Sequence, residues 1–429
     1  MKIGLLALSG LRIHDPELAA LGMTLPSLAR RGRVIASLPS LGLLTVAGLT
    51  PRGHSVEYLE VDDVAQLASL PDFDLVGLSA LTARIDDAYA LADRFRAGGT
   101  RVVMGGLHVS KLPDEALEHC DAVVTGAAEG AWARLVRDAE TGRLESVYHG
   151  ATGGVFTPEL YAAPRFDLLE RRRPYNRVTV QTSRGCPRDC EFCAASLLIS
   201  PRFEQKPVEL VLREIRAARA HLERPFFELA DDNTFLDKAW GRELLRAFRG
   251  EDIRWFTETD ASVADDPDLC DLLAESGCRQ VLIGFESPRG ADLNGIDPAG
   301  WKERRAPRCR RVIDALQSRG VTVNGCFVLG LDAHTPEVFP AVRDFVLASG
   351  LAEVQVTVLT PFPGTQLHAR LKREGRLVAE RFWKRCTLFD VAYRPARMSV
   401  GELESGFRWL VRELYSGEAL QKRRSTSAS

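Results

Sequence analysis

The chain has 429 residues, 45% of them hydrophobic and 27% charged, which fits two to three soluble domains with sizeable cores. A formal net charge of -2 argues against an electrostatically driven nucleic-acid binder, and no stretch approaches the roughly 20 apolar residues of a membrane span. The nine cysteines are odd in number and six stand singly (Cys120, Cys270, Cys278, Cys309, Cys326 and Cys386), which is not the framework of a secreted disulfide protein.

The opening run, MKIGLLALSG, is too short for the core of a signal peptide and reads as a β-strand ending at Ser9-Gly10, so the cytoplasm is the expected location. Residues 41–49 suit a buried helix. Strands are expected at 54–61, 75–79, 101–104 and 122–125, and helices at 85–97 and 113–119. Five short apolar strands alternating with helices imply an α/β, doubly wound parallel sheet over residues 1–140. Residues 141–176 lack periodicity, carry several Gly and Pro, expose Arg171–Arg173, and read as a linker.

A second alternation runs over residues 177–365. Six strands are expected, at 178–182, 226–229, 253–258, 280–284, 322–329 and 353–359. The helices between them fall near 208–220, 240–248, 269–276, 308–318 and 336–349. Six βα units make an open sheet or a partial barrel, and both bind ligands at the C-terminal strand ends. Residues 366–429 read as mostly helical, closing in KRRSTSAS, a disordered tail.

The remaining three cysteines form RGCPRDCEFC, in which Cys186, Cys190 and Cys193 are spaced C-x3-C-x2-C just after the first strand of the second domain. Clustered thiolates suit an iron–sulfur cluster or zinc. A structural zinc site wants four ligands, and no fourth Cys or His follows at a suitable interval. Three ligands on a cubane leave one iron open to an exogenous ligand.

At these residues, with the aromatic Phe192 before the last cysteine, the chain resembles the radical S-adenosylmethionine (SAM) superfamily. The resemblance implies a partial (βα)6 barrel and a 4Fe–4S cluster on Cys186, Cys190 and Cys193. It also implies SAM chelated by the open iron and cleaved by one electron to a 5′-deoxyadenosyl radical. A one-electron reductant such as flavodoxin or ferredoxin would be its partner.

Other family positions follow the strand ends. Asp231 and Asp232 in ELADDNTF match an acidic pair near SAM, and equally suit a turn and helix cap. Glu258 and Asp260 in ETDAS could reach SAM or pair with barrel arginines. Glu286 and Ser287 in GFES are expected at the SAM pocket, and LTPFPGTQL at the sixth strand fits the same pattern.

The first domain has no G-x-G-x-x-G, so a dinucleotide site is unsupported. Its segments SLPSLGLL, LSALT, GGLHVSKLPDEAL and TGAAEGAW resemble the Rossmann-like cobalamin-binding domain found ahead of many radical SAM barrels. The positions implied are Leu41, Gly42, Ser79, Ala80, Leu81, Thr82, Gly105, Gly106, His108, Gly126 and Glu129, whereas Ala127 departs from an acidic residue common in relatives. The base-off motif D-x-H-x-x-G is missing. Only His334 has an aspartate two before it, with Glu337 in place of the glycine. Cobalamin is therefore expected without a histidine axial ligand, and His108 as a tail or loop contact.

The resemblance implies a cobalamin-dependent radical SAM methyltransferase, methylating an unactivated carbon of a small molecule such as a natural product, lipid or tetrapyrrole. The alternative is a non-methylating radical SAM enzyme that performs cyclisation, ring contraction or rearrangement. A third reading, a non-catalytic corrinoid or Fe–S sensor, would not need the SAM positions. Cys326 is a candidate proton acceptor. Arg394, Arg397, Trp383, Phe389 and Tyr393 could line a substrate entrance or pack against the barrel.

Overall fold

The computed structural model describes residues 1–8, 17–18, 38–67, 69–170, 175, 177–194, 202–419, 421 and 423. The strand end at Ser9-Gly10, the exposure of Arg171–Arg173 and the tail beyond residue 423 lie outside these. Arg423, expected in the tail, is helical and buried. Two compact units divide the described residues. Of the described residues, the first takes in those within 1–11, 37–186 and 194–225, and the second those within 12–36, 187–193 and 226–429.

The first unit holds β1 (Lys2–Leu8), α1 (Leu41–Leu49), β2 (Ser55–Glu60), β3 (Leu75–Ala80), α2 (Ile85–Ala97), β4 (Arg101–Gly105), α3 (Leu107–Lys111), α4 (Pro113–Leu117), β5 (Ala122–Thr125), α5 (Trp132–Glu140) and β6 (Val147–His149). The sheet is six-stranded and parallel, in the order β2-β1-β3-β4-β5-β6. Its centre is aliphatic because both faces are covered: Ile3, Leu5, Leu75, Val76, Val102 and Met104 are wholly buried. Ser40 caps α1 by accepting from the Leu43 amide. α3 and β6 were not expected. β6 lies in the stretch read as linker, and three residues are too few to show a period.

Beyond β6 the first unit carries β7 (Val178–Val180), then β8 (Ser183–Arg184) paired antiparallel with β9 (Glu204–Gln205), and α6 (Val208–His221). A buried ion pair joins this region: Lys206 Nζ donates to both Glu214 oxygens at 2.8 Å, and Tyr161 Oη to Glu214 Oε1 at 2.8 Å.

The second unit alternates β10 (Phe226–Leu229), α7 (Lys238–Phe248), β11 (Arg254–Thr259), α8 (Pro267–Glu275), β12 (Cys278–Glu286), α9 (Trp301–Arg305), α10 (Cys309–Gln317), β13 (Thr322–Leu329), α11 (Val338–Ala348) and β14 (Glu353–Val358). These strands are parallel and in sequential order. Strands thus fall at all six positions expected after residue 177.

The register separates the two faces of this sheet. Phe227, Trp255, Val281, Ile283, Val323, Phe327, Val354 and Val356 share the face packed by helices, and each is fully buried. The other face carries Glu228, Glu258, Gln280, Asn324, Cys326 and Gln355, most of them only half-buried. A strand buried on both faces would read as continuously apolar, so this alternation marks one face as polar and accessible. Asn324 itself is buried, and its Oδ1 has no hydrogen-bond partner among the described residues.

The C-terminal region carries α12 (Gln366–Arg373) and α13 (Val400–Tyr415), the latter opened by a reciprocal Ser399–Glu402 capping box. Of the two readings of the aromatics, substrate entrance or packing, the structure gives packing: Trp383, Phe389 and Tyr393 are buried, and Tyr393 Oη donates to the Gly330 carbonyl. Large aromatics supply packing area, which the sequence alone could not separate from ligand contact. No helix among the described residues is long and apolar enough to cross a membrane.

Candidate active site

Cys186, Cys190 and Cys193 follow β8, each half-buried and none in a disulfide. Gly185, at φ 89°, turns the chain immediately before the first of them; a Cβ there would meet the Arg202 carbonyl oxygen at 2.6 Å. Within the second unit the loop is pinned by its backbone. The Glu191 amide donates to Ile296 O at 3.0 Å, Leu367 N to Glu191 O at 2.8 Å, and Cys193 N to Cys190 O at 3.0 Å. Its side chains add ion pairs. Glu191 binds Arg370 through both oxygens, and half-buried Phe192 lies between this anchor and Cys193.

Asp260 serves this loop directly. Its Oδ2 accepts from Arg188 Nε at 3.1 Å and Nη2 at 2.7 Å and from Asn233 Nδ2 at 2.9 Å, while Oδ1 caps the Ser262 amide at 2.8 Å. Burial opposes ionisation of Asp260, but Ser262, Arg188 and Asn233 outweigh it and hold the pKa below the usual value. The sequence offered Asp260 to SAM or to an arginine; the structure gives it Arg188. That guanidinium also stacks 4.1 Å from the Trp301 ring centroid.

The end of β12 carries Glu286, Ser287 and a neighbouring lysine. A bulge after Gly284 puts Glu286 at φ 63°, a left-handed backbone that a non-glycine residue adopts at a cost of about 1–3 kcal/mol. Lys302 Nζ, on a side chain 13% exposed, holds it by donating to Glu286 Oε1 at 2.6 Å and to Gly284 O at 2.9 Å. Ser287 Oγ donates to Asp292 Oδ2 at 2.7 Å. Asp292 also faces His334 Nε2 at 3.5 Å, and His334 Nδ1 accepts from the Gly330 and Leu331 amides, so His334 braces this turn. Asp231 is buried and accepts from Thr234 Oγ1 at 2.9 Å, while Asp232 and Glu258 are half-buried. Sequence reasoning missed Trp301 and Lys302, because WKERR reads as a solvated charge run.

The donor set fits an iron–sulfur cluster: three thiols on one pinned loop and no disulfide. Among the described residues no three His, Cys, Asp or Glu side chains converge on a single metal ion. In a cubane each thiolate ligates its own iron, so the sulfurs need not meet at one point. Burial pushes the Cys190 thiol up to about 12, against the pull of Lys302, so binding a metal must displace that proton.

The rim of the first sheet fits a large flat ligand. Leu81, just past β3, is 52% exposed, and Leu41 and Gly42 are half-buried and exposed. Gly106 has φ 104° and Gly126 φ 77°. Ser110, not expected, ties these two loops: its Oγ donates to Gly106 O at 2.7 Å and accepts from Gly126 N at 3.0 Å. Ser79 and Ala80 are half-buried, Thr82 is buried, and Gly105 completes β4. His108 is buried on α3, with Nδ1 3.3 Å from Thr82 Oγ1 and Nε2 3.5 Å from Glu115. Glu129 is buried against Arg184 at 3.1 Å.

Comparison with known proteins agrees domain by domain. The B12 binding domain family matches residues 31–136, and the Radical SAM superfamily matches residues 180–346, the span holding all three clustered cysteines. The chain carries a B12 binding domain followed by a radical SAM domain. Its cofactors are a 4Fe–4S cluster, SAM and cobalamin. A domain of unknown function (DUF4070) matches residues 365–429 of this radical SAM enzyme.

Two curated relatives come from Chlorobaculum tepidum. Bacteriochlorophyllide d C-12(1)-methyltransferase is 28% identical over 396 residues, covering 90% of this chain and 84% of the relative. Bacteriochlorophyllide d C-8(2)-methyltransferase is 27% identical over 404 residues, covering 89% and 88%. Among solved structures, the radical SAM methyltransferase TsrM from Kitasatospora setae, with cobalamin and a [4Fe-4S] cluster bound, shares the fold at a TM-score of 0.62. That match is 18% identical and covers 88% of this chain and 76% of TsrM.

Proposed function

We propose that this radical SAM enzyme is a C-methyltransferase acting on an unactivated carbon of a small molecule. The observation that carries the reading is the pairing of two domains in one chain: a pinned C-x3-C-x2-C loop and a glycine-rich parallel sheet with an exposed apolar rim residue. Near full-length similarity to two tetrapyrrole C-methyltransferases supports methyl transfer and points to a ring-bearing substrate. When bound, the cluster and SAM supply a 5′-deoxyadenosyl radical, and cobalamin supplies the methyl group.

The chain's own residues do the rest. Cys186, Cys190 and Cys193 hold the cluster, and Arg188 with Asp260 keeps their loop in place. Glu286, braced by Lys302, and Ser287, braced by Asp292, face SAM, with Asp231, Asp232 and Glu258 at the neighbouring strand ends. Gly106, Gly126 and Leu81 receive the corrin, and Glu129 secures the loop that follows β5. The accessible face of the second sheet, with Gln280, Asn324, Cys326 and Gln355, receives the substrate. Among the eight histidines none stands in a D-x-H-x-x-G motif, which supports cobalamin without a histidine axial ligand.

The test is anaerobic reconstitution with iron, sulfide and hydroxocobalamin, followed by metal analysis and assay with [methyl-²H₃]SAM against tetrapyrrole acceptors. Iron and cobalt bound together, with a deuterated methyl group in product, support the reading. Deoxyadenosine formed by a variant lacking all three cysteines would sink it.

A further inference from the structure

The face of the second unit beside the cysteine loop is built from arginine. Residues 301–311, which hold α9 and the start of α10, carry six cations (Lys302, Arg304, Arg305, Arg308, Arg310 and Arg311) against one acid, Glu303. Lys302 turns inward to Glu286, whereas Arg304, Arg308, Arg310 and Arg311 are exposed and Arg305 is half-buried. Asp265 is shared by Arg305 and, at 3.9 Å, by Arg308. Arg304 and Arg310 donate to backbone carbonyls, those of Ala299 and Ala348. Among the described residues no carboxylate pairs with Arg304, Arg310 or Arg311, so the face keeps a net positive charge.

Trp301 ties this face to the loop. Arg188, between Cys186 and Cys190 in the chain, lies 4.1 Å from its ring centroid, and Arg305 lies 5.5 Å from the same centroid. The Glu191 amide reaches Ile296 O at 3.0 Å, just ahead of α9. Gly290 packs on α9, where a Cβ would meet Glu303 O at 3.3 Å. Arg289, beside Gly290, has a side chain 41% exposed and extends the positive face.

The formal net charge of the whole chain is -2, which argues against nucleic acid as the target of this patch. Neither α9 nor α10 bears an exposed large hydrophobic side chain to insert into a lipid surface. Positive charge next to a redox centre suits a negatively charged redox partner. Electron-transfer encounters bury little surface, so charge complementarity governs how fast they form. Trp and Arg together are also the residue types that most often anchor an interface.

We propose that the arginine face of α9 and α10 docks an acidic one-electron carrier protein beside the cysteine loop. The carrier loses one electron and the cluster gains it, with no proton transferred. The proposal rests on the reading that Cys186, Cys190 and Cys193 hold the cluster.

The experiment compares two electron sources, reduced flavodoxin and dithionite, in reconstituted full-length protein, with deoxyadenosine formed from SAM as the readout. Binding of oxidised flavodoxin is measured separately by calorimetry at low and high salt. One variant, R304Q/R308Q/R311Q, removes three exposed charges, and a second, R304E/R308E/R311E, reverses them. The neutral variant is expected to bind flavodoxin about tenfold more weakly, with a flatter salt dependence, at an unchanged dithionite-driven rate. The reversed variant should lose flavodoxin binding and flavodoxin-driven SAM cleavage while still working with dithionite.

Wild-type flavodoxin affinity in the reversed variant would overturn the proposal. So would an equal loss with both electron sources, since the arginines would then serve the fold rather than the carrier. Unchanged flavodoxin binding with lost sedimentation on anionic phosphatidylglycerol vesicles would overturn it too, in favour of a lipid surface. Wild-type protein that forms no deoxyadenosine with dithionite refutes the underlying reading instead.

Discussion

Replacing Asp260 by Asn tests whether this carboxylate anchors the cysteine loop or binds SAM. One oxygen receives two contacts from Arg188 and one from Asn233. In Asp260→Asn the amide can still cap Ser262, but its NH₂ then faces the Arg188 guanidinium, donor against donor. Hydrogen bonds to charged groups contribute about 1.5–3 kcal/mol each, and breaking a buried pair costs about 3–5 kcal/mol. Arg188 is partly exposed, so the loss here is about 2–4 kcal/mol after allowing for solvent screening. At the lower end, about 2 kcal/mol felt by the loop corresponds to roughly thirtyfold faster release of cluster iron to a chelator. The assay follows the cluster absorbance after chelator addition under anaerobic conditions, beside SAM affinity. Iron release at the wild-type rate together with collapsed SAM binding would refute the anchoring role.

Three further outcomes follow from the geometry. Leu81→Ser removes about half of an exposed leucine's contact area, so hydroxocobalamin affinity should fall about three- to tenfold at an unchanged melting temperature; unaltered affinity would rule the residue out as a corrin contact. Lys206→Met strands buried Glu214 with Tyr161 alone and should cost about 3–5 kcal/mol in urea unfolding, whereas Lys206→Met with Glu214→Leu should recover most of it; a wild-type midpoint for the single variant contradicts this. Burial opposes ionisation of Asp292, yet the facing His334 ring and hydrogen bonds from Ser287 and Arg289 hold its pKa at about 2, below the ordinary 3.8. Its folded-state pKa is depressed, so its contribution to stability is complete above about pH 4 and lost as pH falls toward 2. The stability difference between wild type and Asp292→Asn should shrink across that window; a constant difference means the carboxylate is not held by these partners.

Much of this architecture was written in local pattern. Strands such as Ala122–Thr125 and Thr322–Leu329 are continuous or alternating apolar runs between turn residues, so their limits could be read directly. The cysteine loop was legible because its spacing has few structural explanations. What escaped were pairings across the sequence. Asp260 finds Arg188 and Glu129 finds Arg184 only after folding, and no local signal distinguishes those carboxylates from ligands. Lys302 and Ser110 were hidden for the same reason. Trp383, Phe389 and Tyr393 could be read either as entrance or as packing residues, because an aromatic in a polar segment suits both until its burial is known, and their burial decides for packing.

The two-faced sheet of the second unit has a bearing on how such an enzyme changes substrate. Val281, Val323 and Val354 hold the fold, while Gln280, Asn324 and Gln355, one residue away in each case, belong to the opposite face, where Gln280 and Gln355 are half-buried and Asn324 is buried. On the proposed function, stability and acceptor selectivity fall at alternate positions of the same strands. Variation at the accessible positions can redraw the acceptor surface without disturbing a single helix-facing contact. Directed evolution for a new acceptor should therefore start there, with Asn324, whose buried and unpartnered amide oxygen makes it the position where stability and function are most in tension, as the first to randomise.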